Sequence, residues 1–128
     1  MFKPRTAFSS FSVDDLASAK KFYTETLKLK LDNERMGLTL NLPKGGTLFL
    51  YPKKNHVPAT FTVLNLIVDD IDKAVDELAG KGVRFEHYDG EIKTDPKGIA
   101  RSGPRNPGPS IAWFKDPAGN ILSVIEGK

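Results

Sequence analysis

Apolar residues recur along this chain in two periods, and the order in which the periods appear is repeated. Residues 6–13 carry Phe8 and Phe11 among small polar residues and close on Val13, a short-strand pattern. From residue 15 to 27 the period lengthens. Leu16, Ala19, Phe22, Tyr23 and Leu27 fall at the three- and four-residue steps that build one apolar stripe on a helix. Such a stripe belongs to a core, so Phe22 and Tyr23 receive no chemical role. Strands are expected next at about 28–34, 37–42 and 47–51, with Gly37 breaking the first pair and Pro43-Lys44-Gly45-Gly46 making the following turn. In the last of these Leu48 and Leu50 alternate with Thr47, Phe49 and Tyr51. Both faces are largely apolar, which suits a sheet covered on each side or one whose second face lines an apolar pocket.

Residues 52–58 are polar, bounded by Pro52 and Pro58, and read as a linker. The order then restarts: a strand at 61–68, a helix at 70–80 stopped by Gly80-Lys81-Gly82, and a strand at 83–88. A long stretch rich in Pro, Gly and charge occupies 89–109, and strands are expected at about 110–115 and 120–125. The restart is marked by a repeated phrase. Val13-Asp14-Asp15-Leu16 returns as Val68-Asp69-Asp70-Ile71 at an offset of 55 residues (68 − 13), and Ala19 returns as Ala74. In both copies an aspartate stops a strand and offers its carboxylate to the free N–H groups of a first helical turn. These aspartates are assigned no catalysis. A second echo sets Pro43-Lys44-Gly45-Gly46-Thr47-Leu48-Phe49-Leu50 against Pro117-Ala118-Gly119-Asn120-Ile121-Leu122-Ser123-Val124, at an offset of 74 (117 − 43). The difference of 19 residues (74 − 55) is absorbed by the 89–109 segment. Each half therefore reads β-α-β-β-β, an α+β arrangement. A single domain over 1–128 is expected, with module one at about 5–54, the linker at about 52–58 and module two at about 59–127.

Composition narrows the function classes more than it names one. At 128 residues, with 39% hydrophobic and 27% charged residues, the chain is an ordinary globular length and mix. Zero cysteines remove thiol chemistry, disulfides and thiolate-held zinc, and fit a cytoplasmic protein. No stretch is long and apolar enough for a membrane span or a signal-peptide core. The net charge of +3 is spread along the chain without an aromatic-flanked basic run, so neither nucleic acid nor a membrane is expected as a partner.

The combination of Val-Asp-Asp-Leu with Phe22-Tyr23-Thr24-Glu25-Thr26-Leu27, the restart at Val68, Gly82-Val83 after the second helix, and Trp113-Phe114-Lys115-Asp116-Pro117-Ala118-Gly119-Asn120 resembles the vicinal oxygen chelate superfamily. This is the glyoxalase, bleomycin-resistance and extradiol-dioxygenase group, and the likeness covers about residues 6–126. It implies two βαβββ modules forming a half-open barrel, a pocket, and a homodimer. It also implies a metal held by two residues of each module. Two of those positions lie five residues before each repeated valine, at Phe8 and Val63, and the other two lie on the last strand of each module, at Phe49 and Ser123. Imidazole and carboxylate are the donors expected there. Phe, Phe, Val and Ser are not, so no metal and no cofactor is expected.

The same positions point to a mainly apolar pocket with a hydroxyl at one end, with Asn65, Trp113 and Ile121 as further lining candidates. Its partner is expected to be a hydrophobic or aromatic small molecule. Bleomycin itself is cationic and a poor match for a basic protein. Arg101 and Arg105 in the 89–109 segment are candidates for a lid or an interface loop. Glu86, His87 and Asp89 form a possible alternative site, whereas His56 is expected at the surface. Three readings stay open: a metal-independent binding protein, a lyase, isomerase or dioxygenase with an atypical site, and an interaction domain whose pocket is filled.

Overall fold

Each repeated phrase ends a strand and starts a helix. β1 (Ser9–Val13) stops at Val13, and Asp15 caps α1 (Leu16–Lys21), its Oδ1 accepting from the N–H groups of Ala17 at 3.0 Å and Ser18 at 3.2 Å. β5 (Thr62–Val68) stops at Val68, and Asp70 Oδ1 accepts from Lys73 N at 3.1 Å to cap α2 (Ile71–Gly80). The second aspartate of each phrase is thus the cap. In this computed structural model, which describes residues 1–127, the chain divides into units Met1–Pro58 and Ala59–Lys128.

In the first unit α1 continues directly into a π-helical turn at Phe22–Thr26, followed by β2 (Lys30–Asn33), β3 (Leu38–Asn41) and β4 (Thr47–Pro52). The single helix expected over 15–27 is therefore two kinds of helix in series. The wider turn carries Tyr23, fully buried against the rings of Phe11 and Phe22. The sheet order is β1-β4-β3-β2, with β1 parallel to β4 and the other pairs antiparallel. Leu38, Leu40, Leu48 and Leu50 point to one face and are buried. His56, expected at the surface, is half-buried, and its Nδ1 lies 2.6 Å from Ser12 Oγ on β1.

The second unit adds β6 (Ile99–Ala100), β7 (Ile111–Lys115) and β8 (Ile121–Glu126), in the sheet order β5-β8-β7-β6. Its core face carries Ala112, Phe114, Leu122 and Val124, buried with Ile71, Val75 and Leu78 of α2. Burial of each large aliphatic side chain is worth about 1.5–3 kcal/mol. Glu126 Oε2 on β8 also accepts from Ile71 N at 3.0 Å, tying the start of α2 to the sheet.

The repeat extends to the register of the strands. Ser9↔Leu48, Ser10↔Phe49, Phe11↔Leu50, Ser12↔Tyr51 and Val13↔Pro52 become Leu64↔Leu122, Asn65↔Ser123, Leu66↔Val124, Ile67↔Ile125 and Val68↔Glu126. The same two offsets, 55 and 74, convert every pair (64 − 9 and 122 − 48, for instance). Each unit is a βαβββ module built on one plan.

The second unit departs from expectation in its outer strand. Residues 83–88 do not form a strand: only Phe85 pairs, opposite Phe114, and Glu86 N donates to Trp113 O at 2.8 Å. The lane is completed by β6, where Ile99 pairs with Ala112 and Ala100 with Ile111. One edge strand is thus spliced from two pieces, with residues 87–98 looped out between them. The sequence pattern of residues 83–88 is intact, but β7 is shared between the two pieces.

Candidate functional site

Strand alternation gives the second unit's sheet two different faces. Opposite the core face, β7 and β8 present Ile111, Trp113, Ile121 and Ile125, all partly exposed, and Ser123, which is fully buried. Asn65, Ser123 and Trp113 stand in one row across β5, β8 and β7. Ser123 Oγ donates to Asn65 Oδ1 at 2.5 Å, and Trp113 Nε1 donates to Thr62 Oγ1 at 3.1 Å. The indole therefore has its one polar atom committed. Its ring meets Tyr88 edge-on, with centroids 5.5 Å apart. Burial, and then the charge of Glu86, raises the Tyr88 phenol above its ordinary value, so it stays protonated at neutral pH.

The long segment after Phe85 walls a cleft of about 570 Å³ against this face. The sheet contributes Ile111, Trp113 and Ile125, and the segment contributes Ile92, Lys93, Thr94, Asp95, Arg101, Arg105, Asn106 and Pro109. That volume is within the usual range for small-molecule sites, roughly 300–1,000 Å³. The first part of the wall is stitched to itself: the backbones of Asp89 and Lys93 pair in an isolated antiparallel bridge, Tyr88 N donates to Thr94 Oγ1 at 2.8 Å, and Thr94 N donates to Tyr88 O at 3.0 Å.

The second part is clamped to α2 by charge. Arg101 donates to Asp72 through Nη1 and Nη2, each at 2.8 Å, and to Asp95 Oδ2 through Nε at 2.9 Å. Lys97 reaches Asp72 at 3.0 Å and Asp76 at 2.9 Å. The Arg101 hydrogen bonds, then Lys97, hold the Asp72 carboxyl well below the usual carboxylate range. For Asp95 burial acts upward, but bonds from Ile99 N, Arg101 and Lys97 N outweigh it and lower the value. Asp76 and then Asp72 raise Lys97, and Asp72 and then Asp95 raise Arg101.

Of the sequence candidates, Trp113, Arg101 and Arg105 line this cleft. Arg101 is not available to a ligand, as its fork is occupied by Asp72 and Asp95. Arg105 is exposed and makes no hydrogen bond or ion pair with another described residue. Phe8 and Phe49 belong to the first unit, where their rings meet edge-on at 6.5 Å and Phe49 stacks on Tyr51 at 6.1 Å. Val63 is the extra residue of a bulge between Thr62 and Leu64, and it is Asn65 that stands in register with Ser123. Ile121 pairs with Thr62 and Lys115. Ile92, Lys93, Ile111 and Ile125 were not foreseen. The parity of Ile111 with Trp113, and of Ile125 with Ser123, was a usable signal for the last two.

The four positions at which the resemblance would place a metal are Phe8, Phe49, Val63 and Ser123, where none is expected. Two phenyl rings, an isopropyl group and one hydroxyl already bonded to Asn65 supply no imidazole or carboxylate, so these residues do not fit a divalent ion. Nor do Glu86, His87 and Asp89 assemble into a site. Glu86 lies 3.7 Å from Lys115 Nζ and His87 Nε2 lies 3.0 Å from Pro96 O, whereas Asp89 pairs with Lys93 only backbone to backbone. Among the described residues no group of three or more His, Cys, Asp or Glu side chains is placed to hold a metal. No helix among them is long and apolar enough to cross a membrane.

Comparison with known proteins places this architecture. The chain is similar to the antibiotic binding protein TnmS3 from Streptomyces sp. CB03234, with 26% identity, a TM-score of 0.66, and 99% of this chain and 100% of that one covered. It shares its fold with a lactoylglutathione lyase from Agrobacterium tumefaciens (21% identity, TM-score 0.64, 97% and 95% covered). A member of the Glyoxalase/bleomycin resistance protein/dioxygenase superfamily from Sphaerobacter thermophilus DSM 20745 also has this fold (24% identity, TM-score 0.64, 95% and 98% covered). No curated protein matches the chain. The sequence profile of one family matches residues 6–124, nearly the whole chain, and the protein belongs to that family, the Glyoxalase/Bleomycin resistance protein/Dioxygenase superfamily.

Proposed function

We propose that the protein is a metal-independent binding protein for a hydrophobic or aromatic small molecule. The observation that carries this reading is the cleft of about 570 Å³, whose sheet side is formed by Ile111, Trp113 and Ile125. An apolar floor next to a few polar groups is the usual composition of a small-molecule site. The side chains at the four expected ligand positions favour binding over metal-assisted chemistry, because Lewis-acid catalysis needs donors that Phe8, Phe49, Val63 and Ser123 lack. The likeness to an antibiotic binding protein supports small-molecule binding. A homodimer is part of the reading, and light scattering on gel-filtered protein measures it directly.

A thermal-shift screen against a broad library of aromatic compounds and antibiotics tests the proposal. Stabilisation is expected from a subset of flat apolar compounds, since a ligand at 100 times its Kd adds about 2.7 kcal/mol. Titration with Ni, Zn, Mn and Fe is expected to give no stoichiometric binding. A silent library, or one tightly bound metal per chain, overturns the reading.

A further inference from the structure

We infer that the ligand carries an anionic group beside its aromatic body, and that Arg105 is the residue that captures it. This rests on the small-molecule reading above and specifies the ligand further. The argument comes from which polar groups in the cleft are already used. Thr94 is bonded in both directions to the Tyr88 backbone. Asp95 and Arg101 are bonded to each other, and Arg101 to Asp72 as well. Asn106 donates to Ala100 O and accepts from Gly108 N, both at 3.3 Å. Trp113 Nε1 is committed to Thr62.

Three charged side chains of the wall remain without such a bond among the described residues: Glu91, Lys93 and Arg105. They sum to one positive charge, and only Arg105 presents a planar fork. A guanidinium matches a carboxylate, sulfonate or phosphate through two parallel N–H···O bonds, which a lone ammonium cannot do. Beside an apolar floor such a pair is less screened than on open surface. The ligand expected here is a flat aromatic acid, with its body over Ile111, Trp113 and Ile125 and its acidic group at Arg105.

Two dyes with the same aromatic framework separate the parts of this statement. Anilinonaphthalene sulfonate carries an anionic group, and phenylnaphthylamine is its neutral counterpart. Trp113 is the single tryptophan of the chain, so energy transfer from it registers bound dye, and the response to variants of the cleft wall assigns that dye to this cleft. One sulfonated dye per chain is expected, bound on the order of tenfold tighter than the neutral one, as for a charge-assisted hydrogen-bonded pair. Arg105→Gln is expected to abolish that difference, weakening the sulfonated dye on the order of tenfold and the neutral dye much less. Lys93→Gln, its control, should preserve most of the difference.

If the neutral dye binds with transfer from Trp113 but the sulfonate adds nothing, the anionic ligand is refuted and the apolar site stands. The same holds if Arg105→Gln leaves the difference intact. If neither dye binds folded protein, as judged by circular dichroism, both this inference and the proposed function fail.

Discussion

Ser123 and Asn65 face each other across β8 and β5, joined by a hydrogen bond of 2.5 Å at the register pair that corresponds to Phe49 and Ser10 in the first unit. The repeat thus puts an aromatic ring and a hydroxyl at equivalent places. Ser123 is fully buried, whereas Asn65 is exposed. Removing the hydroxyl leaves an acceptor that water reaches, so Ser123→Ala is expected to cost only about 1 kcal/mol. Urea denaturation measures it. A loss of several kcal/mol would mean that the pair anchors the β5–β8 contact rather than completing it.

Gly98 lies at the splice where the outer strand resumes. Its φ is +90°, and an added Cβ would sit 2.8 Å from Phe85 Cβ and 3.1 Å from Glu86 O. Gly98→Ala therefore meets both backbone strain and backbone contact, and is expected to destabilise the protein by about 1–3 kcal/mol. It should also weaken dye binding, because the wall of the cleft is hung from this point. Gly90 is the control: a Cβ there meets nothing, and Gly90→Ala should stay within about 0.5 kcal/mol of the parent. Equal melting temperatures for the two variants would contradict the spliced strand.

Much of the fold was legible because its repeat is carried by short-range signals. Alternation in β4 and the caps Asp15 and Asp70 are properties of neighbouring residues, and the two offsets carry each pair of the first unit onto a pair of the second. Two features were not. The π-helical turn at Phe22–Thr26 keeps an apolar stripe that an α-helix would also give, and only the ring packing around Tyr23 separates them. The spliced strand depends on β7 pairing with both Phe85 and Ile99, a long-range choice that no local pattern encodes. The candidate site was legible in part for the same reason. Trp113 follows from strand parity. The loss of Arg101 to Asp72 depends on a helix and a loop meeting from 29 residues apart.

Asp116 is the one buried carboxylate among the described residues of the second unit. It is 4% exposed, and its Oδ1 accepts from Ala118 N and Asn120 N, each at 2.9 Å, while Oδ2 accepts from Asn120 Nδ2 at 3.1 Å. Asn120 Oδ1 in turn accepts from Ala59 N at 3.4 Å. Asp116→Ala removes the three bonds that Ala118 and Asn120 make to this buried carboxylate, each loss costing about 1–3 kcal/mol, so a total loss of about 3 kcal/mol or more is expected. Asp116→Asn keeps one acceptor oxygen and should lose less. Chemical denaturation of both variants checks the order, and a milder effect for alanine than for asparagine would overturn it.

The Asp72–Arg101–Asp95 clasp should give stability a recognisable pH signature. Both carboxyls lie below the ordinary value of 3.8 when folded, so their contribution is complete above that pH. It is lost as pH falls below 3.8 through the lowered folded values. Lys97 has its folded value raised above 10.5, so its contribution is complete below that and is lost only as pH rises past it. Between those limits the clasp is constant. Asp72→Asn removes it at every pH, so the stability gap between parent and variant should be flat from neutral pH to about pH 4 and shrink below. The gap should be modest and fall with added salt, since Asp72 and Arg101 are each 46% exposed. Denaturation of both proteins over a pH series, at low and high salt, measures it. A gap that widens in acid or is indifferent to salt would show that Asp72 acts through packing, not through charge.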